Sequence, residues 1–211
     1  MKKTFVTAAL AAFLFASCSE KKQEATTATT ETENHEHHEG MAHGDAQPAA
    51  GKVVVEAPNY TSVASPVKEQ LAAVLDSYLK LKDNLVASDA QKAQEDAKAI
   101  VSAAEKVDVT ALQGEQKTFA TERLSEVTQA ASAMAEAADL DLQRAQLELL
   151  SEATFTLTKA FGAADQALYY QHCPMANNDQ GAYWLSNEEK VSNPYFGDKM
   201  LRCGEVKEKL R

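Results

Sequence analysis

Five side chains near the end of the chain could act together on a soft metal ion: His172, Cys173 and Met175 within one short run, and Met200 with Cys203 close by in a second. Thiolate and thioether sulfurs select Cu(I) or Ag(I) over hard cations, and a few of them in low coordination suffice. A helical turn would bring Met200 and Cys203 to one side. A strand would give Cys173 and Met175 a common face and place His172 on the other. The same cysteines have a second use. In an oxidising compartment an even pair forms a disulfide, and a Cys173–Cys203 bridge would close a loop of about 30 residues, contributing roughly 3–4 kcal/mol. A dithiol that binds Cu(I) when reduced can also oxidise when empty, so both uses stand.

A second metal-prone stretch lies far upstream. Asn34 to His43 holds His35, His37, His38 and His43, four of the five histidines, together with Met41. Imidazoles and a thioether this crowded can coordinate copper, zinc or nickel, and the flanking Glu36 and Glu39 add charge. The same composition also fits a solvated linker whose histidines bind nothing. From Ser19 to Lys52 large apolar side chains are almost absent, so the stretch cannot bury enough surface to offset the entropy of ordering it. Residues 18–52 therefore read as a tether.

The start of the chain says where this chemistry would take place. Lys2 and Lys3 precede the apolar run Phe5 to Ala16, the pattern of a secretory signal peptide over residues 1–17 and too short for a stable membrane span. Phe15-Ala16-Ser17-Cys18 resembles a bacterial lipobox, in which the cysteine is lipidated and becomes the mature N-terminus. The expected location is periplasmic or outer membrane, with the acyl chains as the membrane contact. Ser19 stands where an aspartate commonly retains lipoproteins at the inner membrane, which favours the outer one. Formal net charge moves from -10 to -12 when Lys2 and Lys3 leave. Such an acidic chain repels nucleic acid and anionic headgroups. With Cys18 lipidated, Cys173 and Cys203 are left to each other or to a metal.

The elements that must position the sulfurs are helical. Ser65-Pro66 supplies a cap residue and then a proline at the first position of a helix. Val67, Leu71, Val74, Tyr78, Leu81 and Leu85 follow at three- and four-residue steps, predicting a first helix to about Val86. Ser88 with Gln91 reads as a capping box for a second, ending near Asp108, with Ala93, Ala97, Ile100 and Ala104 on its stripe. A third follows Gly114 on Ala120, Leu124, Val127, Ala131 and Met134. Asp139 caps a fourth, whose stripe runs through Leu147, Leu150, Thr154, Leu157, Phe161 and Ala164 to Leu168. Short joins between such helices favour an up-down-up-down four-helix bundle. The inward stripes carry no Glu-x-x-His pair, which argues against a di-metal centre inside the bundle.

After Leu168 the period changes. Asn177 to Gly181 is a strong turn signal between aromatic runs, so Tyr169–Met175 and Ala182–Ser186 are expected to pair as a hairpin. Asn193-Pro194 and Gly197 mark further turns, and the charged tail from Glu205 is expected to fray. The fold class is thus all-α, with a small irregular or β-hairpin C-terminal cap, spanning residues 53–211. No nucleophile with a paired base and no phosphate-cradling loop is present, so an enzyme is not expected.

Tyr170-Gln171-His172-Cys173-Pro174-Met175-Ala176, Trp184-Leu185-Ser186 and Asn193-Pro194-Tyr195-Phe196-Gly197-Asp198-Lys199-Met200-Leu201-Arg202-Cys203-Gly204 resemble the signature of an uncharacterised family, domain of unknown function 3347. The resemblance covers about Val53 to the C-terminus. It implies a setting on bacterial lipoproteins, or fused to periplasmic adaptor subunits of heavy-metal efflux pumps, and hence copper or silver handling with such an adaptor as partner. Cys173-Pro174-Met175 also resembles the short heavy-metal-binding motif of copper-transport proteins, although Ala176-Asn177 replaces the His-Pro that usually follows. The resulting expectation is a lipid-anchored copper-binding protein. The contrasting one is a structural or interaction module whose cysteines staple its cap.

Overall fold

The computed structural model describes residues 55–210. Four long helices, α1 (Ser65–Val86), α2 (Ala90–Glu105), α3 (Gly114–Glu136) and α4 (Leu140–Phe161), lead into strand β1 (Leu168–Cys173). A single turn α5 (Ala176–Asp179), β2 (Ala182–Ser186) and β3 (Glu205–Leu210) complete the chain, with 3-10 turns at Val109–Ala111 and Gly197–Lys199. The signal peptide, Cys18, Val53 and Val54 and the tether ligands His35, His37, His38, Met41 and His43 lie outside the described residues.

Each long helix packs on the next, and α4 returns to α1. The expected stripes face inward: Val67, Leu71, Val74, Tyr78, Leu81 and Leu85 of α1 are all buried. Leu75 and Leu79 widen that stripe because α1 also meets α4 and β2. On α2 and α3 the buried residues are largely alanines, which lets the backbones approach closely.

Three helix ends differ from the sequence expectation, each for a local reason. The residue preceding α1 is Ala64, which offers no side-chain cap, so Ser65 is already helical. Asp89 rather than Ser88 caps α2, accepting from the Lys92 amide. Ser88 instead closes α1 with a left-handed backbone (φ 56°). Its amide reaches Leu85 O, and the Asp89 amide reaches Asn84 O, the paired bonds of a Schellman motif. The apolar stripe of α4 does not continue to Leu168, because Gly162 adopts φ 61° directly after Phe161. Glycine tolerates that conformation without a Cβ penalty, so the helix stops there and Leu168 opens β1. Asp139 caps α4 as expected, accepting from the Asp141 and Leu142 amides.

The cap is a three-stranded antiparallel sheet in the order β2-β1-β3. The β1–β2 hairpin matches expectation. The tail from Glu205, expected to fray, instead forms β3 along the other edge of β1. Its charged residues are held individually. Glu208 is buried and ion-paired with Lys159 of α4, and Lys209 lies over the Tyr169 ring. Lys207 falls at an irregularity in the register, where β3 steps from Glu208 to Val206 against Tyr170 and Gln171.

One buried relay joins cap to helices. The Leu185 amide of β2 donates to Tyr78 Oη of α1 at 3.0 Å. The Ser151 hydroxyl of α4 donates to Leu147 O, which leaves Tyr78 to donate to Ser151 Oγ at 2.7 Å. Burial pushes the Tyr78 phenol far above its ordinary pKa, so it stays protonated in this role. One amide of β2, that of Leu185, is thus satisfied by the helices.

Candidate functional site

The sulfur-bearing residues sit where the cap loops close over α4. Cys173, the last residue of β1, is fully buried and joined to Cys203 in a disulfide, with Cα atoms 5.7 Å apart, inside the usual range for such a bridge. Of the two uses the sequence left open for this pair, the structure holds the disulfide.

The loop carrying Cys203 is fixed by a residue that sequence reasoning read only as a turn marker. Asn193 is fully buried, and its amide group donates to Cys203 O at 2.8 Å. Its Oδ1 accepts from the Tyr195 and Phe196 amides, and its backbone N–H donates to Leu201 O. Arg144 of α4 supports the same loop from below. Its Nε donates to Pro194 O at 2.8 Å and its Nη2 to Leu85 O and to Ser88 Oγ. Burial pulls the Arg144 pKa down, with Asp141 and Asp139 opposing that shift. No sequence spacing pointed to Asn193 or Arg144: Asn193 acts on backbone groups within its own loop, and Arg144 on carbonyls 50 and 59 residues away.

Met175 and Met200 come out on the same side. Both line one open groove of about 540 Å³ with Asp141, Arg144, Asp179 and Tyr195. Met175 is 45% exposed and Met200 36% exposed; the other exposed large apolar side chains among the described residues, Leu142 and Leu149, are on α4. Beyond Met175 the chain turns through three consecutive left-handed residues, Asn177, Asn178 and Asp179, with φ of 51°, 56° and 64°. Asn and Asp tolerate that region better than other side chains. The Asn177 amide also donates to Glu148 Oε2 of α4 at 2.6 Å. Burial raises the Glu148 pKa, and the bond from Asn177 opposes the rise.

His172 is not part of this group. Neighbouring strand residues face opposite ways, and its ring lies 4.4 Å from that of Tyr183, its cross-strand partner. It also fills the space beside Gly181: a Cβ there would fall 2.5 Å from Nε2. Burial lowers the His172 pKa, Lys207 lowers it further, and Glu205 works in the other direction. Among the described residues no cluster of three or more His, Cys, Asp or Glu side chains is placed to hold a metal ion.

Fold and site together define a mostly helical protein closed by a disulfide-linked antiparallel sheet. Residues 74–166 match the model of a family described as a protein of unknown function (DUF3347). The match runs from within α1 to the linker after α4, so the cap motifs that carried the resemblance in the sequence lie beyond the matched residues. Comparison with curated proteins and with solved structures gives no match.

Proposed function

We propose that the chain is an exported lipoprotein, anchored through lipid on Cys18 in the periplasm or outer membrane, that binds copper(I) or a similar soft ion in metal efflux or homeostasis. In this reading residues 18–52 form a tether whose His35, His37, His38, Met41 and His43 collect the ion. The four long helices, arranged up-down-up-down, are the scaffold, and a periplasmic efflux adaptor is the partner. The observation that carries the reading is that Met175 and Met200, far apart in sequence, share one solvent-open groove beside the Cys173–Cys203 link. Thioethers are soft neutral donors, and a groove that exposes both leaves them free to coordinate.

Competition against a chromophoric Cu(I) chelator tests it. A variant combining Cys173→Ser, Cys203→Ser, Met175→Leu and Met200→Leu should lose the tightest equivalent of Cu(I). Replacing His35, His37, His38 and His43 by Ala should remove only weaker ions. Unchanged tight binding in the first variant rules out the cap as the metal site.

The second reading is an interaction module with a stapled cap, favoured by the buried disulfide and by the exposed Leu142 and Leu149 on α4. It expects wild-type protein to take up no Cu(I) tightly, while Leu142→Ser with Leu149→Ser weakens retention of an efflux adaptor on the immobilised chain.

A further inference from the structure

Resting on the metal-binding reading above, we infer that the disulfide-linked form is itself competent to bind a soft monovalent cation, through the thioethers of Met175 and Met200, and that Cys173 and Cys203 position these ligands without being ligands. Bridged cysteines have no thiolate to offer, and Cys173 is fully buried. What the bridge does is geometric. Met175 follows Cys173 closely in the chain and Met200 closely precedes Cys203, so tying the two cysteines at a Cα separation of 5.7 Å brings both methionines to one groove.

Both flanks are then held independently of the bridge. On the Met200 side Asn193 takes the Leu201 and Cys203 carbonyls. The Cys203 amide donates to Met200 O at 3.0 Å, closing a turn between them. On the Met175 side the left-handed run Asn177 to Asp179 is pinned to Glu148. Consecutive residues held in a sparsely populated backbone region are a mark of ligand clamps and switches. The carboxylates of Asp141 and Asp179 line the same groove and favour a cation. The one cationic side chain lining it, Arg144, donates to Pro194 O, Leu85 O and Ser88 Oγ and holds Nη1 3.9 Å from Asp141 Oδ1, so the lining sets two carboxylates against one guanidinium.

Silver(I) is the suitable probe because it needs no reductant that would open the disulfide. The experiment uses the full chain carrying Cys18→Ser and His35, His37, His38 and His43→Ala, with the bridge verified by intact mass and by the lack of reaction with an alkylating reagent. This protein is expected to bind one equivalent of Ag(I). Met175→Leu and Met200→Leu should each weaken binding by about tenfold or more, the double variant removing it. With methyl-labelled methionine, the Met175 and Met200 signals should shift on adding Ag(I), while buried Met134 does not move. Both substitutions are at exposed positions, so unchanged thermal unfolding separates ligand loss from misfolding. Binding that is indifferent to both methionines overturns the proposal. If Ag(I) binds only after reduction, the thiols are the ligands, the metal-binding reading survives and this inference falls. If neither form binds, both fall.

Discussion

The helices and the cap are built on different principles. From Ser65 to Phe161 order comes from repetition: apolar residues recur every three or four positions, alanines let α2 and α3 approach, and backbone hydrogen bonds are satisfied within each helix. From Leu168 to Leu210 order comes from single tailored contacts: a disulfide, one buried asparagine, a buried ion pair and a run of left-handed residues. Periodic structure spreads its stability over many similar contacts. The cap adds a few particular ones, and it exposes two methionines, Met175 and Met200. The family match, residues 74–166, lies within the helical region and the linker that follows it.

Trp184, the only tryptophan, lies fully buried in the cap, so its fluorescence follows the cap while far-UV circular dichroism follows the helices. The largest effect should come from replacing Cys173 and Cys203 by Ala. The bridge spans a sequence separation of 30, and its loss should cost about 3 kcal/mol in urea unfolding. The Trp184 transition should then precede the helical one. Coincident transitions would show cap and helices to be one cooperative unit and would break the contrast drawn above.

Tyr78→Phe probes the junction. It removes the partner of the buried Leu185 amide and of the Ser151 hydroxyl, and should cost about 1–3 kcal/mol, the range for stranding a buried donor. Because it acts on both regions, both signals should move together. A shift in only one would place the relay inside that region.

The smallest effect concerns pH. His172 has its pKa lowered in the folded protein, first by burial and then by Lys207, so folding favours the neutral ring. The unfolded chain therefore takes up the proton first. Stability from this group is present above the ordinary value of 6.5 and is lost as pH falls below it. His172→Gln should flatten the decline of the Trp184 midpoint between about pH 7 and pH 5. An unchanged slope would assign the decline to other groups.

How much of this could be read from sequence follows the same division. The inward stripes of α1 and the Asp139 cap were legible because helical period and capping are local. The end of α4 was not, since Ala164 and Leu168 continue the stripe past Gly162, and one left-handed glycine outweighs the pattern. β3 was hidden for a related reason: a charged strand reads as solvated until Lys159 is known to meet Glu208. In the site, the soft chemistry of Cys173, Met175, Met200 and Cys203 was visible from residue type. Their arrangement was not, because it depends on Asn193 knitting its own loop together and on Arg144 reaching a carbonyl across the fold. His172, adjacent to Cys173, shows the limit of proximity in sequence: strand alternation separates the neighbours.

The ion pair of Lys159 with Glu208 reaches one step further than the sheet. Val55, where the described chain begins, donates from its amide to Glu208 Oε2, while Lys159 Nζ donates to Val55 O at 2.7 Å. Val55 is thus fastened between β3 and α4, and the two ends of the described residues lie side by side. A unit with neighbouring ends behaves as a pendant: it can be spliced into a surface loop of a host protein by two short joints.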